Sequence, residues 1–169
     1  FNALSSWYNK RFDWQPKAEW LVKTPGVVFA ICAAIRALTK PGDAVLIQQP
    51  VYYPFESTIK ANERRLVVNQ LILEDGHYRM NLEEMERQIV SERVKLFVLC
   101  SPHNPVGRVW SGEELTALGE LCVRHGVYVI ADEIHADFIY PGKRHWVFAS
   151  LSPEIADITI LCTAPTKTF

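Results

Sequence analysis

The fold is decided by the stretch Val127-Tyr128-Val129-Ile130-Ala131-Asp132-Glu133-Ile134-His135. Its first five residues form an apolar run rich in Val and Ile, which is typical of a strand buried on both faces of a parallel sheet. Two carboxylates and an imidazole follow this run directly. In open α/β sheets, ligands bind at the carboxyl ends of the strands. The stretch therefore predicts a buried parallel strand that ends in reactive side chains.

Strand-like and helix-like segments alternate on both sides of this stretch. The clearest helix precedes it, because Ser111 and Glu114 form a capping-box pattern and Gly126 is a typical helix end. The alternation predicts an α/β fold with a mostly parallel sheet flanked by helices. The predicted helices cover 27–38, 52–61 and 111–124, with another opening at Asn81, and the other predicted strands cover 44–47, 65–71, 95–100 and 158–162.

The composition excludes several classes of partner. Of the 169 residues, 49% are hydrophobic and 22% are charged, and the net charge is -1. These values are ordinary for a globular domain and give no reason to expect binding to nucleic acid. No apolar run approaches the roughly 20 residues of a membrane helix. The chain has no initiating Met and stops at Phe169, so we expect it to be a fragment of a longer protein.

The cysteines and several histidines are expected to be structural. The cysteines lie in apolar stretches without metal-ligand or redox spacing, which predicts buried free thiols, no metal site and a cytoplasmic location. Three histidines lie in polar or turn segments and are expected to be solvated. The cysteines are Cys32, Cys100, Cys122 and Cys162, and the three histidines are His77, His125 and His145.

Asn104, Asp132 and Lys167 each follow a predicted strand. If these strands are parallel neighbours, an amide, a carboxylate and an amine converge at one edge of the sheet. A lysine amine can bind an aldehyde cofactor covalently, and a carboxylate can keep a pyridinium nitrogen protonated. The Thr24-Pro25-Gly26 turn precedes a helix whose first amides can attract a phosphate. Singly, Lys167 could be a surface lysine, Asp132 a helix cap and Asn104 a turn residue.

These residues belong to five motifs that span almost the whole chain. In their order, the motifs resemble those of the fold-type I pyridoxal 5′-phosphate (PLP) enzymes, the aminotransferase class I/II superfamily. Within it, the sequence is most similar to the cystathionine β-lyase-like C–S lyases. The motifs are Phe12-Asp13-Trp14 with Thr24-Pro25-Gly26-Val27-Val28, Gln49-Pro50-Val51-Tyr52-Tyr53-Pro54-Phe55, Pro102-His103-Asn104-Pro105-Val106-Gly107, Ala131-Asp132-Glu133-Ile134-His135 and Ala164-Pro165-Thr166-Lys167-Thr168-Phe169.

The resemblance implies PLP as the cofactor and gives each site residue a role. Lys167 resembles the lysine that binds PLP covalently and moves the α-proton of the substrate. Asp132 matches the carboxylate that pairs with the pyridine nitrogen, and Asn104 matches the amide near the phenolic oxygen of the ring. The other implied contacts are the stacking residue Tyr52, its neighbour Tyr53, the phosphate cradle of Gly26, Val27 and Val28, and the side chains of His135 and Thr166.

Two positions depart from the general aminotransferase pattern. His135 stands where many members have Tyr, and this form resembles the C–S lyase branch. Asp132 and His135 could also suggest a metal pair, but no third ligand is evident. Ala164 stands where many members have a serine that touches the phosphate, and Thr163 or Thr166 could replace it.

The resemblance implies a PLP-dependent C–S β-lyase that splits cystathionine or a cysteine S-conjugate into a thiol, pyruvate and ammonia. The alternatives are a PLP-dependent aminotransferase and a non-catalytic PLP-binding regulatory domain. An unrelated nucleotide-binding domain would need a Gly-rich fingerprint, which the sequence lacks. Residues 1–169 would form part of the large PLP-binding domain of a homodimer. The small domain and the arginine for the substrate carboxylate would lie mostly outside the chain.

Overall fold

A five-stranded sheet forms the centre of the computed structural model, which describes residues 1–169. The strands are β1 (Ala44–Gln49), β2 (Arg65–Gln70), β3 (Ile72–Glu74), β4 (His77–Arg79), β5 (Val94–Cys100), β6 (Tyr128–Asp132) and β7 (Thr159–Cys162). The sheet has the order β2-β1-β5-β6-β7, and all of its neighbouring strands are parallel. Strands β3 and β4 form a separate antiparallel hairpin. The predicted α/β fold with a parallel sheet is confirmed.

Helices cover both faces of the sheet. They are α1 (Asn2–Phe12), α2 (Val27–Leu38), α3 (Pro54–Ala61), α4 (Leu82–Glu92), α5 (Gly112–His125) and α6 (Pro153–Asp157), together with the 3-10 turns Ala18–Trp20, Phe148–Ser150 and Pro165–Lys167. None of these helices combines the length and the apolar character that crossing a lipid bilayer requires.

Side chains along β1 show how the core is divided between the two faces. Ala44 and Leu46 pack with the apolar sides of α4, α5 and α6, whereas Val45 and Ile47 pack with α2 and α3. Successive side chains of a strand point to opposite faces, so a continuous apolar run is required when both faces are covered. A third, smaller cluster joins Tyr8 and Phe12 of α1 to the segment that follows β6.

The ends of α5 match the sequence prediction. The Ser111 hydroxyl accepts the N–H of Glu114 at 3.1 Å, and the Glu114 carboxylate accepts the N–H of Ser111 at 2.8 Å. These bonds satisfy backbone donors that the first turn of a helix leaves free. At the other end Gly126 has φ 64°, the left-handed conformation that glycine adopts without penalty.

The remaining predictions differ from the structure mainly at boundaries. Asn81 caps α4 as predicted, and α3 begins at Pro54 rather than at Tyr52. Pro54 therefore occupies the first helical turn, where a missing N–H has no cost. The hairpin of β3 and β4 and the helices α1 and α6 were not predicted, because they are short or carry a weak apolar pattern.

Replacing Ser111 with Ala removes the acceptor for the Glu114 amide. We expect the free energy of unfolding to fall by about 1 kcal/mol, as for other N-cap replacements. Urea unfolding followed by circular dichroism measures this change. Ser111→Thr keeps a hydroxyl and is the matched control. Equal stability of Ser111→Ala and the parent protein would contradict a stabilising role for the capping box.

Candidate active site

The carboxyl ends of β5, β6 and β7 lie side by side at one edge of the sheet. Asp132, the last residue of β6, is paired in register with Cys100 on one neighbouring strand and with Cys162 on the other. Asn104 and Lys167 lie in the segments that directly follow these two neighbours. The structure therefore brings the three predicted positions to the same edge, while the roles of their side chains stay predictions.

Asp132 is a buried carboxylate without a cationic partner in this chain. Its side chain takes part in none of the ion pairs, and its only hydrogen bond comes from the N–H of Ile134 at 3.2 Å. Burial raises the pKa of Asp132 to about 6, the Ile134 amide lowers it, and neighbouring Glu133 raises it further. A buried acid in this state is suited to meet a cationic group such as a protonated pyridine nitrogen.

Two buried thiols flank this carboxylate. Cys100 and Cys162 pack in the same apolar cluster as Ile31 of α2. Burial is the main reason that the pKa of each thiol is raised to about 12, and the negative charge of Asp132 adds to the shift. Both thiols therefore stay protonated, and the carboxylate lies between weakly polar neighbours. The prediction of free cysteines is confirmed, and Cys32 is the one that is half-buried.

Cys100 also holds the loop that carries Asn104. Its Sγ accepts the N–H of Asn104 at 3.4 Å and donates to the carbonyl of Pro102 at 3.4 Å. In the same loop, the His103 ring contacts the carbonyl of Pro50 at 2.9 Å. The loop after β5 is therefore joined to the segment after β1, which carries Tyr52.

Lys167 lies in the last 3-10 turn, with its side chain exposed. His135 is half-buried on the neighbouring segment. Burial lowers the pKa of His135, and the positive charge of Lys167 lowers it further. The lowered pKa favours the uncharged imidazole.

The start of α2 offers free backbone amides on the same face as Cys100 and Cys162. No side chain caps this helix, and the N-cap residue Gly26 has φ 157° and ψ 166°, a backbone region that only glycine enters readily. Helix α2 packs against β5, β6 and β7. Free amides and the helix dipole make such a terminus suited to an anion. The cradle of Gly26, Val27 and Val28 remains a prediction that this geometry supports.

The remaining predicted residues differ in how far they are buried. Tyr52 is half-buried against the cluster that covers α2 and α3, and its ring lies 5.9 Å from the ring of Phe55. Tyr53 is 81% exposed, and Thr166 is also exposed. Both side chains face solvent in this chain, and their contacts with a cofactor stay predictions.

Sequence patterns missed a buried acid–histidine pair beside the site. Glu133 contacts His145 at 2.8 Å and accepts the N–H of Phe148 at 2.8 Å, and both side chains of the pair are buried. The expectation that His145 is solvated was therefore wrong. The polar segment before it, Pro141-Gly142-Lys143-Arg144, is exposed and hides the fact that the chain turns inward at His145.

One surface cavity lies away from the strand ends. It has a volume of about 830 Å³ and is lined by Ser111, which caps α5, by Thr116 of α5 and by Trp146. Helix α5 covers the face of the sheet opposite to α2. No cluster of three or more His, Cys, Asp or Glu side chains is arranged to hold a metal ion.

Comparison with known proteins adds an independent line of evidence. The sequence profile of the family described as aminotransferase class I and II matches residues 2–169. The chain is 46% identical over 168 residues to cystathionine beta-lyase PatB of Bacillus subtilis, covering 99% of this chain and 43% of that protein. It is 33% identical over 156 residues to an aspartate aminotransferase of Geobacillus stearothermophilus, covering 92% of this chain and 38% of the other.

The fold is also similar to that of solved structures. The fold matches the crystal structure of cystalysin from Treponema denticola, which contains a pyridoxal 5′-phosphate cofactor, with a TM-score of 0.96 and 41% identity. The match covers 99% of this chain and 43% of that one. The chain thus spans less than half the length of the relatives that it matches.

The raised pKa of Asp132 has a consequence for stability in the absence of any ligand. Its ordinary value is 3.8, so between about pH 4 and 6 the folded state holds this proton more tightly than the unfolded state. The free energy of unfolding therefore falls as the pH rises through this window. Asp132→Asn removes the ionisation, so we expect the ligand-free variant to be more stable at pH 7 by up to about 3 kcal/mol.

Urea unfolding between pH 4 and 8 checks this expectation. The advantage of Asp132→Asn should disappear near pH 4, where the native carboxyl group is protonated. Asp157→Asn, an exposed acid in α6, is the matched control and should show no such trend. A stability difference that does not vary with pH would show that Asp132 is not held in an unfavourable ionised state.

Proposed function

The chain belongs to the aminotransferase class I and II family, and from this premise we propose that it is part of a PLP-dependent carbon–sulfur β-lyase. Residues 1–169 would form part of the large, cofactor-binding domain. The proposed substrates are cystathionine or cysteine S-conjugates, and the products are a thiol, pyruvate and ammonia. The observation that carries the proposal is the buried, unpaired carboxylate of Asp132 beside the segment of Lys167, in a chain 46% identical to a cystathionine beta-lyase.

The donor set fits the cofactor. The amine of Lys167 would hold PLP covalently, and the carboxylate of Asp132 would face the ring nitrogen. Asn104 would donate to the phenolic oxygen, and Tyr52 offers an aromatic face for the ring. The free amides at the start of α2 would bind the phosphate. Each of these groups lies at, or packs next to, the carboxyl ends of the strands.

When bound, PLP supplies an electron-withdrawing ring that makes the Cα–H bond of an amino acid acidic. Once the amine of the substrate has displaced it from the cofactor, the amine of Lys167 would be free to accept the proton from Cα. The negative charge of Asp132 would stabilise a proton on the ring nitrogen, and a cation there would in turn favour the ionised form of Asp132. Breaking the Cβ–S bond of the substrate releases the thiolate, and water converts the remaining fragment to pyruvate and ammonia.

The assembly and its surroundings are part of the same proposal. We expect the whole protein to be a homodimer that acts on a small-molecule amino acid. The unpaired cysteines suit a reducing compartment such as the cytoplasm. The net charge of -1 offers no basis for binding nucleic acid.

An aminotransferase is the second candidate, because the chain is also 33% identical to an aspartate aminotransferase. Both reactions begin with removal of the α-proton by a lysine amine. They differ in whether a leaving group departs from Cβ or the cofactor receives the proton and keeps the amino group. His135 favours the lyase, since the sequence Asp132-Glu133-Ile134-His135 resembles the C–S lyase branch.

Replacing Lys167 with Ala tests the covalent attachment. We expect the whole protein with this change to lose the visible absorbance band of bound PLP and at least about a thousandfold in turnover, because no other amine replaces the nucleophile and base. Reduction with borohydride followed by mass spectrometry locates the attached cofactor. Lys143→Ala, in an exposed loop, should keep both properties. Cofactor found on another lysine would overturn the assignment.

The reaction type is tested by incubating the whole protein with cystathionine in the absence of any keto acid. A lyase releases pyruvate and thiol in equal amounts over many turnovers, and we expect this result. Pyruvate detected with lactate dehydrogenase and thiol detected with a chromogenic disulfide give the two rates. Turnover that requires an added keto acid would identify an aminotransferase. An intact PLP band without either reaction would favour a regulatory protein.

A further inference from the structure

Asp137 lies beyond Asp132 on the segment that follows β6, and its carboxylate is 15% exposed. The sequence motifs gave this residue no role. In the structure, however, both of its oxygens accept hydrogen bonds from parts of the chain that are far apart in sequence. The arrangement links the first helix to the segment that carries Lys167.

One oxygen of Asp137 accepts hydrogen bonds from two side chains of α1. Its Oδ1 accepts the N–H of the Trp7 indole at 3.2 Å and the Nε–H of Arg11 at 3.3 Å. The other oxygen, Oδ2, contacts the segment that carries Lys167. It accepts a hydrogen bond from the hydroxyl of Thr168 at 2.9 Å and also lies 3.2 Å from the indole nitrogen of Trp7. Thr168 is the residue directly after Lys167.

A second contact joins the same two segments. The ring of Phe169 meets the ring of Trp7 edge-on, with centroids 5.1 Å apart and planes inclined by 70°. The guanidinium of Arg11 lies 5.6 Å from the centre of the Trp7 ring. Trp7 is therefore fixed by Asp137 and Arg11, and it presents one edge to the end of the lysine segment.

Within residues 1–169, the amine of Lys167 takes part in none of the ion pairs. Lys167 lies in a 3-10 turn that no side chain caps, and its amine is at the end of a flexible, exposed side chain. Covalent attachment and proton transfer both require that the amine be held close to one position. The next residue, Thr168, is held by the hydrogen bond from its hydroxyl to Asp137.

We propose that Asp137 is a positioning residue for Lys167, acting through the hydroxyl of Thr168, so that α1 and the backbone segment that carries Lys167 are joined by hydrogen bonds through Asp137. This inference rests on the proposed role of Lys167 in binding PLP. Asp137 itself touches neither cofactor nor substrate in this scheme. Its effect is to reduce the range of positions that the lysine backbone can adopt before the cofactor arrives.

Four variants of the whole protein test the hydrogen bond between Thr168 and Asp137. Asp137→Ala removes the acceptor, Thr168→Val removes only the donor, the double variant removes both, and Thr168→Ser keeps the hydroxyl. Glu74→Ala removes an exposed carboxylate from the β3–β4 hairpin and is the matched control. The first measurement is the rate at which the visible band forms when PLP is added to cofactor-free protein.

We expect Thr168→Val to slow attachment by about tenfold, the effect of losing one hydrogen bond to a charged group. Asp137→Ala also removes the acceptor for Trp7 and Arg11, so it should slow attachment at least as much. Thr168→Ser and Glu74→Ala should stay within about twofold of the parent protein. Since both single changes break the same bond, the double variant should be no slower than the slower single variant, within a factor of about two. A purely additive loss from two unrelated structural defects would give about a hundredfold.

Hydrogen exchange of the cofactor-free protein supplies a readout that does not depend on PLP. Amides of residues 166–169 should exchange faster in Asp137→Ala and Thr168→Val than in Thr168→Ser, while amides of β5 and β6 exchange at unchanged rates. If Asp137→Ala fails to fold, Thr168→Val alone tests the positioning role, because it replaces only the hydroxyl that donates to Asp137.

The outcomes separate this inference from the proposed function. If the PLP band survives in Lys167→Ala, the proposed function itself fails. If that band is lost in Lys167→Ala but Asp137→Ala and Thr168→Val attach PLP as fast as Glu74→Ala, only the positioning role is wrong. Unchanged exchange of the amides of residues 166–169 in Thr168→Val would also overturn the positioning role.

Discussion

The register of three parallel strands is the constraint on which the rest of the structure depends. Hydrogen bonding of β6 to β5 and β7 sets Asp132 level with Cys100 and Cys162. Because parallel strands all end at the same edge, the segments that follow them must emerge side by side. A shift of one residue in β6 would turn Asp132 to the opposite face, away from α2, and would separate the carboxylate from the free amides at the start of that helix.

Two adjacent acids in the same segment are stabilised in opposite ways. Glu133 points to the α1 side, where His145 and a backbone amide satisfy both of its oxygens. Asp132 points to the α2 side and receives a single backbone N–H. Burying a carboxylate with so little compensation costs free energy. A cationic ligand group beside Asp132 would reduce this cost, so the contrast between the two neighbours supports the proposal that the cofactor binds on the α2 side.

The sequence predicted the parts of the molecule whose signals are local. The Val and Ile run of β6 and the paired caps of α5 follow from backbone chemistry within a few residues, and both are confirmed. That Asn104, Asp132 and Lys167 lie at one edge was predicted on the condition that their strands are parallel neighbours, and the structure meets this condition. His145 was misjudged because its burial depends on how a loop folds back on Glu133. The hairpin of β3 and β4 was missed because its strands have three residues each.

The role of Asp137 could not have been found from any local pattern. The carboxylate joins Trp7, which is 130 residues away in the sequence, to Thr168, which is 31 residues away. Contacts at such separations form only after the intervening sheet has brought the segments together. In the unfolded chain every lysine carries the same kind of amine. The proposed attachment of a cofactor to Lys167 in particular would therefore depend on the folded surroundings, and through Asp137 these surroundings include α1.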